Sequence, residues 1–421
     1  MLNMRYVNSH IDEIKRSLKI RHNNFPINEL LELYKTSIDF KKKLDTLNHE
    51  RNKGSKEISK TFKTEKKVEQ LREIKEQIKV LEEQSNECEE KINVLLLKLP
   101  NLLDQSVPEG ATYEDSPELK VSGKIKNESL ENFERVLEKA NLTDTATASE
   151  LTGRRFYFLK NDFVLLEYAL IKYALDFLSK RKFLLIEPPL LLREKYYQNV
   201  VDIAKYKNIL YKVISAKQEG EMEDSIYLIA SSEHIIASTQ AGKLLPTNSL
   251  PIKYASTSIC FRNEPQTKGK DLQGLFKVHQ FNQVDQFAFC KEDESNKIFD
   301  ELQKNQEEFV QTLDLPYKVF AVCSGDLSIK ATKALDLKVY VPSEKTYKEY
   351  GYCANLTDWQ SRRLDTRYDD GERKYVHTVT CTMASFPRIL IYLLQNNMTN
   401  EGFMEIPSPL ISYMGKSRIK L

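Results

Sequence analysis

Paired cysteines are missing from this chain. Cys88, Cys260, Cys290, Cys323, Cys353 and Cys381 stand singly along 421 residues, with no C-x-x-C among them. That spacing argues against a disulfide framework and a thiolate zinc site, and it fits a reducing compartment. No apolar run approaches the roughly 18 residues that a membrane span needs, so no membrane partner is expected. A secretory signal is absent as well, because no apolar h-region follows the first charges. Neither sign of charge dominates: 63 Lys and Arg face 61 Asp and Glu, a net charge of +2. A histone-like or acidic-tail protein is thereby excluded, and nucleic-acid contact must come from local asymmetry. With no G-x-G-x-x-G and no G-x-x-x-x-G-K-[ST], a dinucleotide-binding fold or a P-loop has no support.

What is present begins with a long helical pattern. Between Pro26 and Leu99 there is one glycine, Gly54, and no internal proline. Apolar residues recur at helical spacing, first Ile27, Leu30, Tyr34, Ile38, Leu44 and Leu47, then Val68, Leu71, Ile74, Ile78, Leu81, Cys88, Ile92 and Leu95. Two seams with a polar stretch between them predict an antiparallel helical hairpin. Its tip carries Arg51, Lys53, Lys56, Lys60, Lys63, Lys66 and Lys67 against Glu57 and Glu65. Such a run is by itself only a solvated helix face, and its meaning depends on the rest of the chain. The first 24 residues mix Arg5, Lys15, Arg16, Lys19 and Arg21 with Asp12 and Glu13. They read as an ordinary amphipathic helix more readily than as an organellar presequence, because presequences are poor in acids.

A stretch bearing Pro108, Gly110, Pro117 and Gly123 reads as a linker. Beyond it, a helical pattern over 161–179 runs into KFLLIEPPLLL, where Pro188 and Pro189 forbid continuation. Pieces rich in β-branched and aromatic residues follow at 225–233, 252–261, 276–290, 317–323, 337–343 and 374–383, with a charged helix between Glu292 and Leu313. The expected fold is α+β. It comprises a helical coiled-coil arm over 1–103, a linker and entry segment over 104–149, and an antiparallel-sheet domain over 150–421.

Chemistry concentrates in Phe261 to Phe287, FRNEPQTKGKDLQGLFKVHQFNQVDQF. Arg262 and Glu264, two apart on a strand, put a phosphate-grade cation and an acceptor on one face, ahead of a loop bearing Lys268, Gly269 and Lys270. Strand, basic loop and returning strand make an anion clamp. The order of residues resembles motif 2 of class II aminoacyl-tRNA synthetases, and in detail the seryl enzymes, where F-R-x-E precedes G-[RK]-D-x-x-G-L-x-[RK]-x-H-Q-F. Gly269-Lys270-Asp271, Gly274-Leu275, Lys277 and His279-Gln280-Phe281 fall in register. The resemblance spans the whole chain: LPNLLDQSVPEG at the junction, TGRRFYFL before the first long helix, SSE at 231–233, YKEYGYCANLTDWQSRRLDTRY at 347–368, and VHTVTCTMASFPR at 376–388 as motif 3. It is most similar to the bacterial and organellar form of seryl-tRNA synthetase, with phrases similar to fungal mitochondrial members, which implies the mitochondrial matrix as the expected location and the cytoplasm as the alternative.

The resemblance implies a class II catalytic domain that activates L-serine with ATP, using Mg2+, and transfers serine to tRNA-Ser. It also implies a homodimer joined at motif 1, the helix of Leu165, Leu166, Ala169, Leu170, Tyr173 and Phe177 running on to Pro189. ATP would be bound by Arg262, Glu264, Lys277, Phe281, Glu349 and Arg388. Of these, Arg262, Glu264 and Arg388 would act in catalysis, Phe281 and Arg388 would enclose adenine, and Glu349 would hold magnesium. Arg262 would bridge the α-phosphate and the serine carboxylate. Ser231 and Glu233 match the family's T-x-E, which holds the substrate ammonium; Asp285 and Thr382 would read the serine hydroxyl. In this setting the seven basic residues of the hairpin tip become a tRNA contact. The chain departs from the family at Pro265 and Gln266 after the motif 2 glutamate, at Tyr352 where a serine helps bind metal, at Asp285 for glutamate, and at Thr380-Cys381-Thr382 in motif 3. Those departures define the competing reading, a degenerate, noncatalytic tRNA-binding paralogue.

Overall fold

The computed structural model describes residues 2, 4–60, 65–126, 132–202, 206–214, 225–263 and 275–421, without the side chains of 57–60 and 65–67. The chain forms two compact units, 1–100 and 101–421.

In the first unit the short helices Met4–Ser9 and Ile11–Ile20 precede two long ones, α1 (Ile27–Lys60) and α2 (Glu65–Lys98). Each long helix has 34 residues, about 50 Å at 1.5 Å per residue. They run antiparallel: the Cys88 thiol reaches the Leu33 carbonyl near the base, while Gly54 meets Leu71 toward the tip. A Cβ at position 54 would come within 2.8 Å of a Leu71 methyl, so the lone glycine of the predicted seam lets the two helices approach there. The seam is buried at Leu30, Ile78, Cys88, Ile92 and Leu96. Ser37 and Ser85 are buried among them, two small side chains that apolar periodicity passes over.

The second unit is built on an eight-stranded sheet: β1 (Glu118–Ser122), β2 (Leu184–Ile186), β3 (Ile252–Phe261), β4 (Gln280–Cys290), β5 (Tyr317–Ala321), β6 (Lys333–Val341), β7 (Thr346–Thr357) and β8 (His377–Ser385). Across the sheet the order is β1-β5-β6-β7-β8-β4-β3-β2. Every pairing is antiparallel except β2 with β3, where Leu184, Leu185 and Ile186 run parallel to Tyr254, Ala255 and Ser256. The stretch read as a linker differs from expectation. Glu118–Ser122 joins the sheet as an edge strand against β5, and the Asn101 amide donates to the Lys330 and Leu356 carbonyls and to the Thr357 hydroxyl. Proline and glycine mark its turns correctly, but strand pairing with a segment two hundred residues away leaves no local trace.

Three helices cover one core. The helix Asp162–Ser179 buries Phe163, Leu166, Ala169, Leu170, Ala174, Phe177 and Leu178; Ser295–Thr312 buries Ile298, Phe299, Leu302, Phe309 and Val310; Phe386–Asn397 is buried almost throughout. At about 1.5–3 kcal/mol per fully buried large apolar side chain, this layer is the main stabilising term of the unit. Its effect on function is to hold β4, β7 and β8 rigidly side by side, and the cleft opens over those three strands.

Candidate active site

Residues from widely separated segments line one polar cleft of about 350 Å³, among them Ser231, Glu233, Arg262, Lys277, Phe281, Gln283, Glu349, Tyr352, Thr382 and Arg388. Strand alternation accounts for part of this. Phe281 and Gln283 lie two apart on β4 and share a face, and Asp285 on the same strand pairs directly with Thr382 of β8. Arg388 enters from the first turn of the helix Phe386–Asn397, whose start is pinned by Pro387.

At one end stand the arginines. Arg262 follows β3 directly; its Nε donates to the Ala230 carbonyl at 2.9 Å, and its guanidinium lies 5.2 Å from the centre of the Phe281 ring. Arg388 Nε donates to the Phe276 carbonyl at 3.2 Å, and its Nη1 is 3.3 Å from Glu349 Oε1. Tyr392 fixes the Glu349 backbone, donating to its carbonyl at 2.6 Å. The Arg388 charge holds the Glu349 carboxyl below the ordinary carboxylate value. Asp336, facing Tyr352 across β6 and β7, behaves oppositely: burial, then the Glu349 charge, pushes it up to about 7.

At the other end is a buried ion pair. Lys330 Nζ and Gln360 Nε2 both donate to Glu233 Oε1, the latter at 2.9 Å, and Gln360 in turn accepts from Thr378 at 2.9 Å. Burial alone would lower the Lys330 ammonium, but the Glu233 carboxylate outweighs it and holds it above the usual lysine value. Ser231 caps the helix Ser232–Ser238, accepting from the Glu233 N–H at 3.2 Å and donating to Asp285 Oδ2 at 3.2 Å. Ser232 donates to the same oxygen at 2.7 Å, and Gln283 Nε2 to Oδ1 at 2.6 Å. Asp285 is therefore fully buried, with both oxygens taken by protein donors, and burial raises its carboxyl. The neighbour that reaches the cleft is Gln283.

The expected site residues thus divide. Arg262, Lys277, Phe281, Glu349, Arg388, Ser231, Glu233 and Thr382 are brought together, while Asp285 lies beneath the wall. Glu264 and the loop carrying Lys268 and Lys270 lie outside the described residues, as do the side chains of Lys60, Lys63, Lys66 and Lys67. Arg51 is half-buried on α1, and Lys53 and Lys56 are exposed there. Sequence reasoning missed Lys330, Gln360 and Gln283. It also left Gly351 without a reason: a Cβ there would sit 2.6 Å from Gln306 Nε2 and 2.8 Å from the Thr382 carbonyl, blocking the bond that Gln306 donates to that carbonyl at 2.6 Å.

Among the described residues no group of three His, Cys, Asp or Glu side chains could hold a metal ion. Magnesium needs less when phosphates supply most of its oxygens, one or two carboxylates sufficing. Glu349, 55% exposed toward the cleft, fits that demand.

Residues 211–397 match the tRNA synthetase class II core domain (G, H, P, S and T), and residues 1–103 match the seryl-tRNA synthetase N-terminal domain. The serine–tRNA ligase of Methanocella arvoryzae is 36% identical, covering 98% of this chain and 99% of its own. That of Pyrococcus abyssi is 35% identical over 100% and 97%. In three dimensions the chain superposes on seryl-tRNA synthetase from Pyrococcus horikoshii complexed with ATP with a TM-score of 0.92, at 31% identity over 100% of this chain and 99% of that one. For the cytoplasmic enzyme of Naegleria fowleri in complex with AMP the TM-score is 0.86, at 30% identity over 97% and 95%.

Proposed function

The chain belongs to the seryl-tRNA synthetases and is an ATP-dependent serine–tRNA ligase with serine, ATP and tRNA as reactants, and from that premise we propose how its cleft divides the work. The observation that carries the proposal is the meeting of Glu233, Arg262, Glu349, Thr382 and Arg388 in one cavity. Glu233 Oε1 is committed to Lys330 and Gln360, so Oε2 is the oxygen that receives the serine ammonium. Arg262 bridges the serine carboxylate and the ATP α-phosphate. A carboxylate oxygen attacks the α-phosphorus, a mixed anhydride forms, and pyrophosphate departs. No side chain has to remove a proton in this step, and a fixed cation facing the growing charge is what accelerates it. Arg388 and Phe281 take the adenine and Lys277 the phosphates. Thr382 reads the serine hydroxyl, and Asp285 acts behind the wall through Ser231 and Gln283. Glu349 would hold magnesium, which supplies counter-charge to the phosphates. In the second half a terminal ribose hydroxyl of tRNA attacks the serine carbonyl, the bond to AMP breaks, and the hydroxyl proton passes to the departing phosphate.

The noncatalytic alternative is disfavoured, because the relatives are serine–tRNA ligases along their whole length and Arg262, Glu349 and Arg388 all remain. Residence in the mitochondrial matrix is proposed from the phrases similar to fungal mitochondrial members together with the basic residues of the first 24, with the cytoplasm as the alternative.

The basic hairpin tip is proposed to contact tRNA-Ser through phosphates, which need no base readout. Removing Arg51 to Lys67 is expected to weaken tRNA affinity and raise the KM for tRNA in aminoacylation while leaving serine-dependent ATP–pyrophosphate exchange unchanged. Unaltered charging kinetics in that variant would remove the arm from recognition.

A homodimer is proposed from the outer face of Asp162–Ser179. Leu165 and Tyr168 are 54% and 65% exposed, and β2, the sheet edge packed against that helix, exposes Leu184 and Leu185 at 56% and 51%. A bare apolar edge of this kind invites a second copy. Sedimentation equilibrium at micromolar protein is expected to give a dimer for the wild type and a monomer for Tyr168→Glu combined with Leu184→Glu. A monomeric wild type would overturn it.

A further inference from the structure

Tyr197 lies on the helix Glu194–Val200, outside every motif singled out in the sequence, and its side chain is fully buried. Its phenol oxygen accepts the Ala230 N–H at 2.9 Å and stands 3.1 Å from His234 Nδ1. Ala230 is itself fully buried, so its N–H requires an acceptor in place of water. The carbonyl of that same residue accepts from Arg262 Nε at 2.9 Å. One turn of chain is thus held on one side by a phenol and holds, on the other, an arginine that lines the cleft. The flanking residue is pinned as well, with the Ile229 carbonyl accepting from the Phe261 N–H at 2.8 Å.

We propose that Tyr197 is a positioning residue for Arg262, fixing through Ala230 where the guanidinium meets the substrate anions. The inference rests on the role proposed above for Arg262. His234 completes the arrangement. It is buried against Tyr197 and Tyr206, and burial first, then the nearby Lys330 and Arg262 charges, holds it well below the ordinary imidazole value. Because the phenol oxygen already accepts from the Ala230 N–H, its own proton can turn to the His234 ring nitrogen 3.1 Å away. A phenylalanine would fill the same space and lose only the hydroxyl, with its contacts to Ala230 and His234, which separates positioning from packing. Tyr227 supplies the control: it packs edge-on against Tyr197, is also buried, and its hydroxyl donates to Glu194.

Tyr197→Phe is expected to lower kcat for serine-dependent ATP–pyrophosphate exchange about tenfold while KM for ATP and serine stays within about threefold, because a displaced cation costs more in the transition state than in the ground state. Tyr227→Phe is expected to keep the wild-type kcat. In an Arg262→Lys background, Tyr197→Phe should add little further loss, since both act through one group. A wild-type kcat in Tyr197→Phe, or full additivity in the double variant, overturns the proposal even when the melting temperature falls. Should Tyr197→Phe prove too unstable to assay, His234→Asn carries the test, and it must lower kcat in the same sense. If Arg262→Lys alone retains the wild-type rate, the site reading itself fails; if Arg262→Lys is impaired and Tyr197→Phe is not, only this inference does.

Discussion

Arg262→Lys is expected to lower kcat for serine-dependent ATP–pyrophosphate exchange by about 10²–10³-fold, on the order of 3–4 kcal/mol, with a far smaller change in KM for ATP. Lysine keeps the charge but not the planar fork, and only a fork can face a carboxylate and a phosphate together. Nor can lysine, with one nitrogen, keep the bond that Arg262 Nε makes to the Ala230 carbonyl and at the same time present a planar fork of donors. The loss should fall on kcat, because negative charge on the bridged oxygens peaks during attack. Single-turnover adenylate formation measures this directly. Equal losses in ATP binding and in rate would mean that Arg262 merely holds nucleotide.

Glu233→Gln is expected to raise the KM for serine about 10- to 100-fold, the worth of one charge-assisted hydrogen bond to an ammonium. It should also destabilise the fold by about 3–5 kcal/mol, because the Lys330 side chain, 8% exposed, is left as an uncompensated buried cation. The two effects separate in the double variant Glu233→Gln with Lys330→Met, which should regain most of the stability and none of the serine affinity. Chemical denaturation and exchange kinetics on the three proteins decide it. The pair's contribution has a defined pH range. The Lys330 ammonium is raised in the folded state, so its share of stability is complete below the ordinary lysine value and is lost only as pH climbs through the higher folded one. Recovered serine affinity in the double variant would take Glu233 out of the substrate site.

What the sequence made legible was whatever repeats at fixed short spacing. The two hairpin seams, β3 and β4 about the motif 2 loop, and Arg388 behind Pro387 are local patterns. Lys330 and Gln360 were invisible for the opposite reason: they meet Glu233 from 97 and 127 residues away and lie in no motif. Asp285 shows a subtler limit. Alternation correctly puts Phe281, Gln283 and Asp285 on one face, but which of them reaches solvent depends on Ser231 and Ser232, whose hydroxyls seal Asp285 in. β1 escaped because a short, exposed edge strand in a proline-bearing stretch has the composition of a loop.

The strand order also bears on synthesis. β8, the last of the eight to leave the ribosome, sits in the middle of the sheet, with β1, β5, β6 and β7 on one side and β4, β3 and β2 on the other. Until residue 385 has emerged, the nascent chain can assemble only two partial sheets, and the facing edges of β7 and β4 stand open. The seam closed by β8 is where Thr382 comes opposite Asp285. Closure of the sheet and completion of the cleft that Thr382 lines are therefore a single late event, and a chain cut short before β8 would carry two sticky edges and an incomplete cleft.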